Sequence, residues 1–313
     1  MEEVVGNLSS SDLLVVNYFD KVAERLDVSL ELCGNSVVIH GEDGLSRLRG
    51  RSCIEALIDF SRDNELDPLL ADYVIHLASI GKLEEFAKSG ADEIFYITPN
   101  GRPIKAKTLG QRFYIDALKR SELVICSGPA GCGKTFLGVA MAVKAFRNRE
   151  VSRIILTRPA LEAGERLGFL PGDIEEKVNP YMRPIYDALG TLLGQELFER
   201  YYEKGLIEVS PLAFMRGRNL DDCFVLLDEA QNTTVEQMKM FLTRIGINCR
   251  ACVCGDFTQI DLPRGVVSGL PDSMRVLAGI EGISLIRLTG EDIVRNSLVQ
   301  RIVNAYEGVS HEQ

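Results

Sequence analysis

Gly128-Pro129-Ala130-Gly131-Cys132-Gly133-Lys134-Thr135 is the stretch from which the rest of the chain can be placed. Its spacing fits G-x-x-x-x-G-K-[ST], a glycine-rich loop whose backbone N–H groups cradle phosphate. The apolar run 123–126 before it predicts a buried parallel strand, and 136–147 after it predict a helix. Because a strand end, a glycine turn and a helix start direct several N–H groups and the positive helix end at one point, the segment predicts an anion site.

Two side chains at the end of this loop have predicted roles beyond the backbone. We expect Lys134 to reach the β- and γ-phosphates of a nucleotide, and the Thr135 hydroxyl to take a Mg²⁺ ion. The alternative is a glycine-rich turn that matches the pattern by chance. The strand before the loop and the helix after it count against that alternative.

The bulk composition is that of a soluble globular protein. The chain has 313 residues, of which 46% are hydrophobic and 26% charged, enough for one large domain or two ordinary ones. No apolar run approaches the length of a membrane span. The start Met1-Glu2-Glu3 is acidic and lacks the basic-then-apolar order of a signal peptide. We therefore expect a cytoplasmic protein that does not enter a membrane.

Charge and cysteine usage exclude further classes of protein. The formal net charge of −10 argues against broad nonspecific binding of nucleic acid. A local basic groove or an arginine-lined ring is still compatible with this charge. The eight cysteines are expected to be reduced, since several lie in apolar runs where cysteine acts as a small hydrophobe. Cys249-x-x-Cys252-x-Cys254 has no second pair at zinc spacing, so no zinc site is expected.

Residues 1–100 predict a small α+β domain with the element order of a KH-like RNA-binding fold. Residues 1–10 are expected to be frayed, helices are predicted over 12–26, 45–62 and 67–88, and strands over 28–32 and 36–40. Gly41-x-x-Gly44 resembles the backbone-clamping loop of KH domains. We interpret it as a plain turn, because Glu42 and Asp43 would repel phosphates and because the KH loop joins two helices, whereas this one follows a strand.

The Pro/Gly-rich segment 98–103 predicts a linker, which places a second domain at 101–313. Gln111 lies upstream of the phosphate loop, where its amide could read the edge of adenine while a flanking aromatic side chain stacks on the base. The alternative for Gln111 is an ordinary residue on a helix surface.

Polar side chains follow the predicted apolar strands of this second domain. Asp228-Glu229 end the run 223–227, where Asp228 would hold Mg²⁺ and Glu229 would polarise an attacking water. The alternative is a pair capping the helix that begins near Val235. Gln259 follows the run 251–255 and is placed to sense the γ-phosphate or to position water. Arg295 is either a surface charge or an arginine finger that reaches the transferring phosphate.

The remaining elements complete an α/β prediction. Strands are predicted over 153–159, 206–209 and 283–288, helices over 180–202 and 297–306, and a long irregular segment over 161–180, a length typical of functional loops. The fold class predicted is therefore a P-loop NTPase with a mostly parallel sheet, preceded by the small α+β domain.

Asp228-Glu229-Ala230-Gln231 followed by Gly255-Asp256-x-x-Gln259 resembles the ATPase cores of superfamily 1 helicases. More specifically, the chain resembles the PhoH-like family of P-loop ATPases in four stretches, almost letter for letter. These are 157–165, 168–173, 237–244 and 261–265. The resemblance is strong over about 105–307. It departs after Arg295, where the family usually has His-Pro and this chain has Asn296-Ser297, which affects the expected angle of the last helix.

The resemblance implies an ATPase that uses Mg²⁺, often forms hexameric rings and has links to RNA metabolism. One function that follows is ATP hydrolysis coupled to remodelling of single-stranded RNA. Another is a nucleotide-gated assembly factor that controls a partner protein without moving on RNA. A small-molecule kinase also uses such a loop, but Glu229 and Arg295 favour transfer to water. No cluster of carboxylates predicts a nuclease, so any RNA cutting would come from a partner protein.

Overall fold

The computed structural model describes residues 2–6, 8, 9, 12–63, 68–88, 94–159 and 174–294. They form two compact units, which are described separately. The first unit takes the described residues up to 88, with 107–109 and 294, and the second takes 94–106 and 110–293.

The first unit is a three-stranded antiparallel sheet packed against helices. The sheet order is β1-β3-β2, and a 3-10 helix at Asp12–Tyr18 precedes α1. Its elements are β1 (Glu2–Val5), α1 (Phe19–Leu26), β2 (Ser29–Cys33), β3 (Ser36–His40), α2 (Gly44–Asp63), α3 (Pro68–Ile80) and α4 (Leu83–Lys88). This confirms the small N-terminal domain with an antiparallel sheet.

The prediction that residues 1–10 are frayed was wrong for the first strand. Residues 2–5 pair with β3 in antiparallel register, with Val5 opposite Val37. Val5 is buried in the same core as Val37 and Ile39. Only one side chain of this short strand faces the core, so its hydrophobic pattern carries too little information to predict it.

The loop between Gly41 and Gly44 is the turn that the sequence predicts. It follows β3 and leads into α2, so it does not join two helices. The Asp43 carboxylate accepts the Ser46 N–H at 2.9 Å, and such backbone donors hold the pKa of Asp43 below its usual value. Arg47 donates to the Gly41 carbonyl at 2.6 Å. The loop is thus a capped helix start.

The second unit contains a hairpin followed by alternating helices and strands. The hairpin pairs β4 (Tyr96–Ile97) with β5 (Pro103–Ile104). The elements up to the middle of the unit are α5 (Leu109–Arg120), β6 (Leu123–Ser127), α6 (Lys134–Arg147), β7 (Arg153–Arg158), α7 (Ile174–Leu193) and α8 (Gln195–Glu203). The later ones are β8 (Ile207–Pro211), β9 (Cys223–Leu227), α9 (Val235–Leu242), β10 (Arg250–Gly255), α10 (Gly269–Val276) and β11 (Ile283–Arg287).

The six-stranded sheet of this unit has the order β11-β6-β10-β9-β7-β8. Every described pairing within it is parallel. The α/β fold with a parallel sheet is therefore confirmed. Parallel strands align their carboxyl ends at one edge, so the segments that follow β6, β7, β9 and β10 meet there.

Burial explains why these particular runs became central strands. All five residues of β6 and of β9 are buried. Alternate residues enter two cores: Leu226 belongs to the one that includes the buried face of α6 and α7, and Val225 to the one that includes α9 and α10. A strand covered by helices on both faces has no polar alternation, which is the pattern the sequence shows.

Two predicted boundaries in this unit differ from the structure. Residues 174–180 were expected to be irregular, but α7 begins at Ile174 and continues through Pro180. The helix predicted over 180–202 is interrupted at Gly194, whose φ of 78° is a positive value that glycine tolerates. Residues 161–173, the rest of the predicted irregular segment, and the helix predicted over 297–306 lie outside the described residues.

The predicted linker 98–103 forms the turn between β4 and β5, with Gly101 at a φ of 76°. The Tyr96 hydroxyl beside this turn donates to the Leu192 carbonyl at 2.6 Å, which ties the hairpin to α7. The domain division at 100/101 stays a prediction.

Within the part of the chain that the structure describes, none of the helices combines the length and the apolar character that a membrane span requires.

Candidate nucleotide-binding site

The phosphate loop lies between β6 and α6 and depends on its glycines. Gly131 and Gly133 have φ values of 90° and 77°, the left-handed conformation that favours glycine. Gly128 is required for a different reason, since a Cβ there would lie 2.7 Å from the Leu288 Cβ. The Gly128 N–H donates to the Gly255 carbonyl at 3.1 Å, which joins the loop to the end of β10.

Lys134 is the first residue of α6, and its side chain turns back over the loop. Its Nζ donates to the carbonyl oxygens of Gly128 and Pro129 at 2.7 and 2.9 Å. Only 9% of the residue is exposed. An ammonium group has three N–H donors, so this geometry leaves one donor for an anion. The lysine therefore both braces the loop and presents positive charge inside it.

Thr135, Asp228 and Arg158 form a hydrogen-bonded row across the ends of three elements. Thr135 Oγ1 donates to Asp228 Oδ1 at 2.7 Å. The other carboxylate oxygen, Oδ2, accepts from Nε and a terminal nitrogen of Arg158 at 2.8 and 2.5 Å. The Asp228 side chain is only 3% exposed. A carboxylate this buried needs such partners, and they fix its orientation.

The donor set beside the loop fits a magnesium ion. Mg²⁺ prefers oxygen ligands and is held in proteins by one or two carboxylates together with substrate phosphates and water. Thr135 Oγ1 and Asp228 Oδ1 are two such oxygens side by side. These residues would hold the ion next to the phosphate loop.

Glu229 has a strained backbone and a partly exposed side chain. Its φ of 53° and ψ of 37° are left-handed, which is uncommon for a residue with a Cβ. Its side chain is 43% exposed, and Oε1 lies 3.9 Å from Arg158. Oε2 accepts a hydrogen bond from Gln231 Nε2 at 2.7 Å. The geometry aims an orientated carboxylate at the same space as Lys134 and Thr135.

Gln259 is held by a second carboxylate at the end of β10. Its Nε2 donates to Asp256 Oδ2 at 2.9 Å. The other oxygen of Asp256 accepts from the backbone and the hydroxyl of Thr258 at 2.9 and 2.7 Å. Asp256 is 5% exposed, so its hydrogen bonds are shielded from water.

A cavity of about 450 Å³ opens between the loop and these strand ends. It brings most of the predicted site residues together, namely Ala130, Gly131, Gly133, Lys134, Thr135, Asp228, Glu229 and Gln259. Helix α7 closes the opposite side with Asp187 and Thr191. Such a pocket has the size of a small-molecule site. Gly128, Pro129 and Cys132 belong to the loop but are not among the described residues that line this cavity.

Gln111 lies behind the loop. It is 4% exposed, and its Nε2 donates to the Cys132 carbonyl at 3.1 Å. Gln111 is absent from the described residues that line the cavity. It is thus a buried support of the loop backbone, and its role in reading a base stays a prediction.

Beneath the loop lies a cluster of buried thiols and one phenol. The Tyr114 hydroxyl contacts the Lys134 carbonyl at 3.1 Å and the sulfurs of Cys252 and Cys254 at 3.0 and 3.2 Å. Burial raises the pKa of Tyr114 and of Cys126 well above their ordinary values. Tyr114 and Cys126 therefore stay protonated at neutral pH and add no negative charge below the phosphate loop.

Sequence reasoning missed Arg158, Gln231 and Asp256 as site residues. Arg158 ends β7, which is parallel to β9. Because polar residues at the carboxyl ends of such strands share one edge, this position was a signal that could have been used. Gln231 and Asp256 stand inside the quoted motifs, but their mutual contact has no local signature. Arg295, predicted as an arginine finger, lies outside the described residues.

We expect Gly128→Ala to lower the stability of the second unit by about 1–3 kcal/mol, the usual cost of overpacking. The added methyl group would also lie 2.9 Å from the Leu288 carbonyl oxygen, so the loop must shift. Denaturant unfolding and nucleotide binding measure the two effects. Gly290→Ala is the matched control, since its Cβ would meet nothing within 4 Å. Equal stability of both variants would contradict the close-packing argument.

Comparison with known proteins agrees with this geometry. The family model described as "PhoH-like protein" matches residues 103–307. The chain is 48% identical over 292 residues to a PhoH-like protein of Bacillus subtilis (strain 168), covering 92% of this chain and 91% of that protein. It is 44% identical over 306 residues to a PhoH-like protein of Mycobacterium tuberculosis (strain H37Rv), covering 97% and 84%.

Among solved structures, the chain is similar to the Sulfolobus solfataricus SWI2/SNF2 ATPase core in complex with dsDNA. The TM-score is 0.37 at 13% identity, with 63% of this chain and 46% of that chain covered.

A family model that spans residues 103–307 and relatives that align along nearly the whole chain agree on one assignment. The phosphate loop on a parallel sheet and this assignment together support a nucleotide-binding protein of the ATPase type. The chain belongs to the PhoH-like family.

Proposed function

We propose that the chain binds ATP with Mg²⁺ and hydrolyses the terminal phosphate by attack of water. The observation that carries the proposal is the cavity shared by Lys134, Thr135, Asp228 and Glu229, which come from two separate stretches of the chain. Cation, metal-binding oxygens and a partly exposed carboxylate are the parts that phosphoryl transfer to water requires.

The residues divide the work between binding and catalysis. The N–H groups of the loop and Lys134 bind the phosphates and offset the negative charge that develops during transfer. Thr135 and Asp228 would hold the Mg²⁺ ion, which supplies further charge neutralisation when bound. Glu229 orients the attacking water and accepts its proton, while Gln259 senses the γ-phosphate. A kinase reaction is less well supported, because Glu229 suits activation of a small nucleophile such as water.

Two roles are proposed for Gln111, support of the loop backbone and recognition of the adenine base. Because Gln111 contacts Cys132, a substitution of Gln111 is also expected to disorder the loop. ATP and GTP affinities of Gln111→Ala separate the two roles. An equal loss for both nucleotides indicates loop support alone, whereas a selective loss for ATP supports base recognition.

We further propose that hydrolysis is coupled to remodelling of single-stranded RNA in the cytoplasm. The support is the family relationship, together with the resemblance of Asp228–Gln231 and Gly255–Gln259 to helicase motifs. The second candidate is a nucleotide-gated assembly factor, which acts on a partner protein such as a nuclease. The net charge of −10 favours this candidate, since a nucleic-acid motor usually carries a basic surface.

The ATPase rate with and without single-stranded RNA distinguishes these functions. Stimulation by RNA that disappears at high salt supports coupling, because phosphate contacts are screened. A rate that RNA does not change, with no RNA bound at low salt, supports the assembly factor. Gel filtration with ATP should be run alongside, since an oligomer is expected in both cases.

The proposed assembly is a closed homohexamer in which Arg295 of each subunit serves the site of its neighbour. A head-to-tail interface closes into a ring and lets a residue act across it. Mixing inactive Lys134→Ala and Arg295→Ala subunits should then restore part of the activity, because some interfaces carry both intact residues. Mixed rings that form but stay inactive at every ratio would remove the support for a finger in trans.

A further inference from the structure

The Gln231 side chain connects two segments of the proposed catalytic site, one after β9 and one after β10. It lies in the 3-10 turn Ala230–Asn232 that follows Glu229 and is 1% exposed. Its Nε2 donates to Glu229 Oε2 at 2.7 Å, and its Oε1 accepts the Asp256 N–H at 3.0 Å. One amide group therefore contacts both the segment after β9 and the segment after β10.

The orientation of this amide follows from the chemistry of its partners. A backbone N–H is only a donor, so the group that faces Asp256 N must be the amide oxygen. The NH₂ end is then left for Glu229, whose ionised carboxylate is only an acceptor. A flipped amide would put donor against donor and acceptor against acceptor. Glu229 is thus held by the single orientation that satisfies both contacts.

The contact continues from Asp256 to the predicted phosphate sensor. The N–H of Asp256 donates to Gln231, while Oδ2 of the same residue accepts from Gln259 Nε2 at 2.9 Å. Glu229 and Gln259 therefore share a hydrogen-bonded connection through one amide and one aspartate.

Close packing fixes the middle of this connection. Ser268 Oγ donates to the Gln231 carbonyl at 2.6 Å, which anchors its backbone. A Cβ at Gly255 would lie 2.7 Å from Gln231 Oε1, so a glycine is needed for the amide to reach Asp256. The Glu229 side chain is partly exposed, so packing constrains it less than it constrains the buried side chain of Gln231.

We propose that Gln231 is a positioning residue that orients Glu229 for activation of water and links it to Gln259 through Asp256. This inference rests on the proposed ATPase function. Gln231 does not line the cavity among the described residues, so it acts on the reaction through Glu229 rather than on the nucleotide. Its removal should slow the chemical step and leave nucleotide binding intact.

Two substitutions separate positioning from structural support. Gln231→Met keeps the size of the side chain and removes both hydrogen bonds. Gln231→Glu keeps an acceptor for the Asp256 N–H and replaces the donor to Glu229 with a carboxylate. We expect kcat to fall about 10- to 100-fold in the methionine variant, the scale of a misplacement near 1 Å, with KM and ATP affinity within about threefold of wild type. The glutamate variant should be at least as slow.

Asn232→Leu is the matched control in the same turn. It also removes a buried side-chain amide, whose oxygen accepts the Asp261 N–H at 2.8 Å, and it keeps the Asn232 backbone N–H that donates to the Glu229 carbonyl at 3.0 Å. Its kcat should stay within about threefold of wild type, and thermal unfolding should be used to test that all three variants fold. The Gln231→Met variant is compared with this control at matched protein concentration.

The outcomes separate the two proposals. A Gln231→Met enzyme with wild-type kcat overturns the positioning role alone, because ATP hydrolysis then proceeds without it. A glutamate variant that recovers wild-type kcat while the methionine variant is slow also overturns it, because support of Asp256 would explain both. A wild-type chain that does not hydrolyse ATP under any of these conditions overturns the proposed function and, with it, the role of Gln231.

Discussion

Replacing Lys134 with alanine is expected to reduce ATP hydrolysis to the background of the assay. The ammonium group is the positive charge inside the phosphate loop, and it offsets the charge that develops on the transferring phosphoryl group. The structure adds a second expected effect. Lys134 Nζ also braces the loop through the carbonyls of Gly128 and Pro129, so the loop loses these contacts in the variant.

From the sequence alone, this lysine is expected only to reach the phosphates of a nucleotide. Since only 9% of Lys134 is exposed, we expect a loss of about 1–3 kcal/mol in stability together with the loss of activity. The chain should still fold, because both cores of the second unit are formed mainly by other residues.

Lys144→Ala is the matched control for Lys134→Ala. It removes the same charge from the other end of α6, in the last turn of the helix. Steady-state ATPase assays, fluorescent-nucleotide binding and denaturant unfolding should be compared for both. A folded Lys134→Ala protein with near-normal turnover would contradict both the assignment of the loop and the proposed function.

The strands of the second unit could be predicted from sequence because they are buried on both faces. A run such as Cys223–Leu227 is continuously apolar and ends at a charged pair, so both its type and its end are visible. The phosphate loop has a fixed spacing of glycine, lysine and threonine, each required by backbone geometry or by ligand chemistry. Local requirements of this kind can be recognised from consecutive residues of the sequence.

The contacts that join separate strands could not be predicted in the same way. Thr135 and Asp228 are 93 residues apart, and Gln231 and Asp256 are 25 apart. Their meeting depends on the order of the strands in the sheet, which no single segment specifies. The prediction for the first strand was wrong for a different reason. Glu2–Val5 is stabilised by pairing with β3 rather than by its own hydrophobic pattern.

Arg158 shows why position within the sheet matters for the site. The sequence gives only an arginine after an apolar run, whereas the structure puts it against the buried carboxylate of Asp228. In this geometry Asp228 has one oxygen toward Thr135 and the other toward Arg158. The carboxylate is therefore orientated by its protein partners before any ligand contributes, which lowers the reorganisation that binding requires.

Glu229→Gln is expected to bind ATP with nearly unchanged affinity and to hydrolyse it about a hundredfold more slowly or worse, the usual scale for a positioned acid–base group. Glutamine has the same shape but cannot accept the proton of water. Its amide oxygen can still accept from Gln231 Nε2, the contact measured at 2.7 Å, so the local structure should persist. The left-handed backbone at φ 53° is unchanged by the substitution.

Glu236→Gln is the control for this substitution, because it removes the same charge from an exposed position at the start of α9. Single-turnover hydrolysis and equilibrium ATP binding should be measured for both variants, since a binding defect and a chemical defect then separate. An unchanged turnover in Glu229→Gln would assign the attacking water to another residue, with Gln259 as the first candidate. The hydrogen bonds of Gln231 and Asp256 would then serve to position Gln259 instead of Glu229, because the Gln259 side chain lines the same cavity.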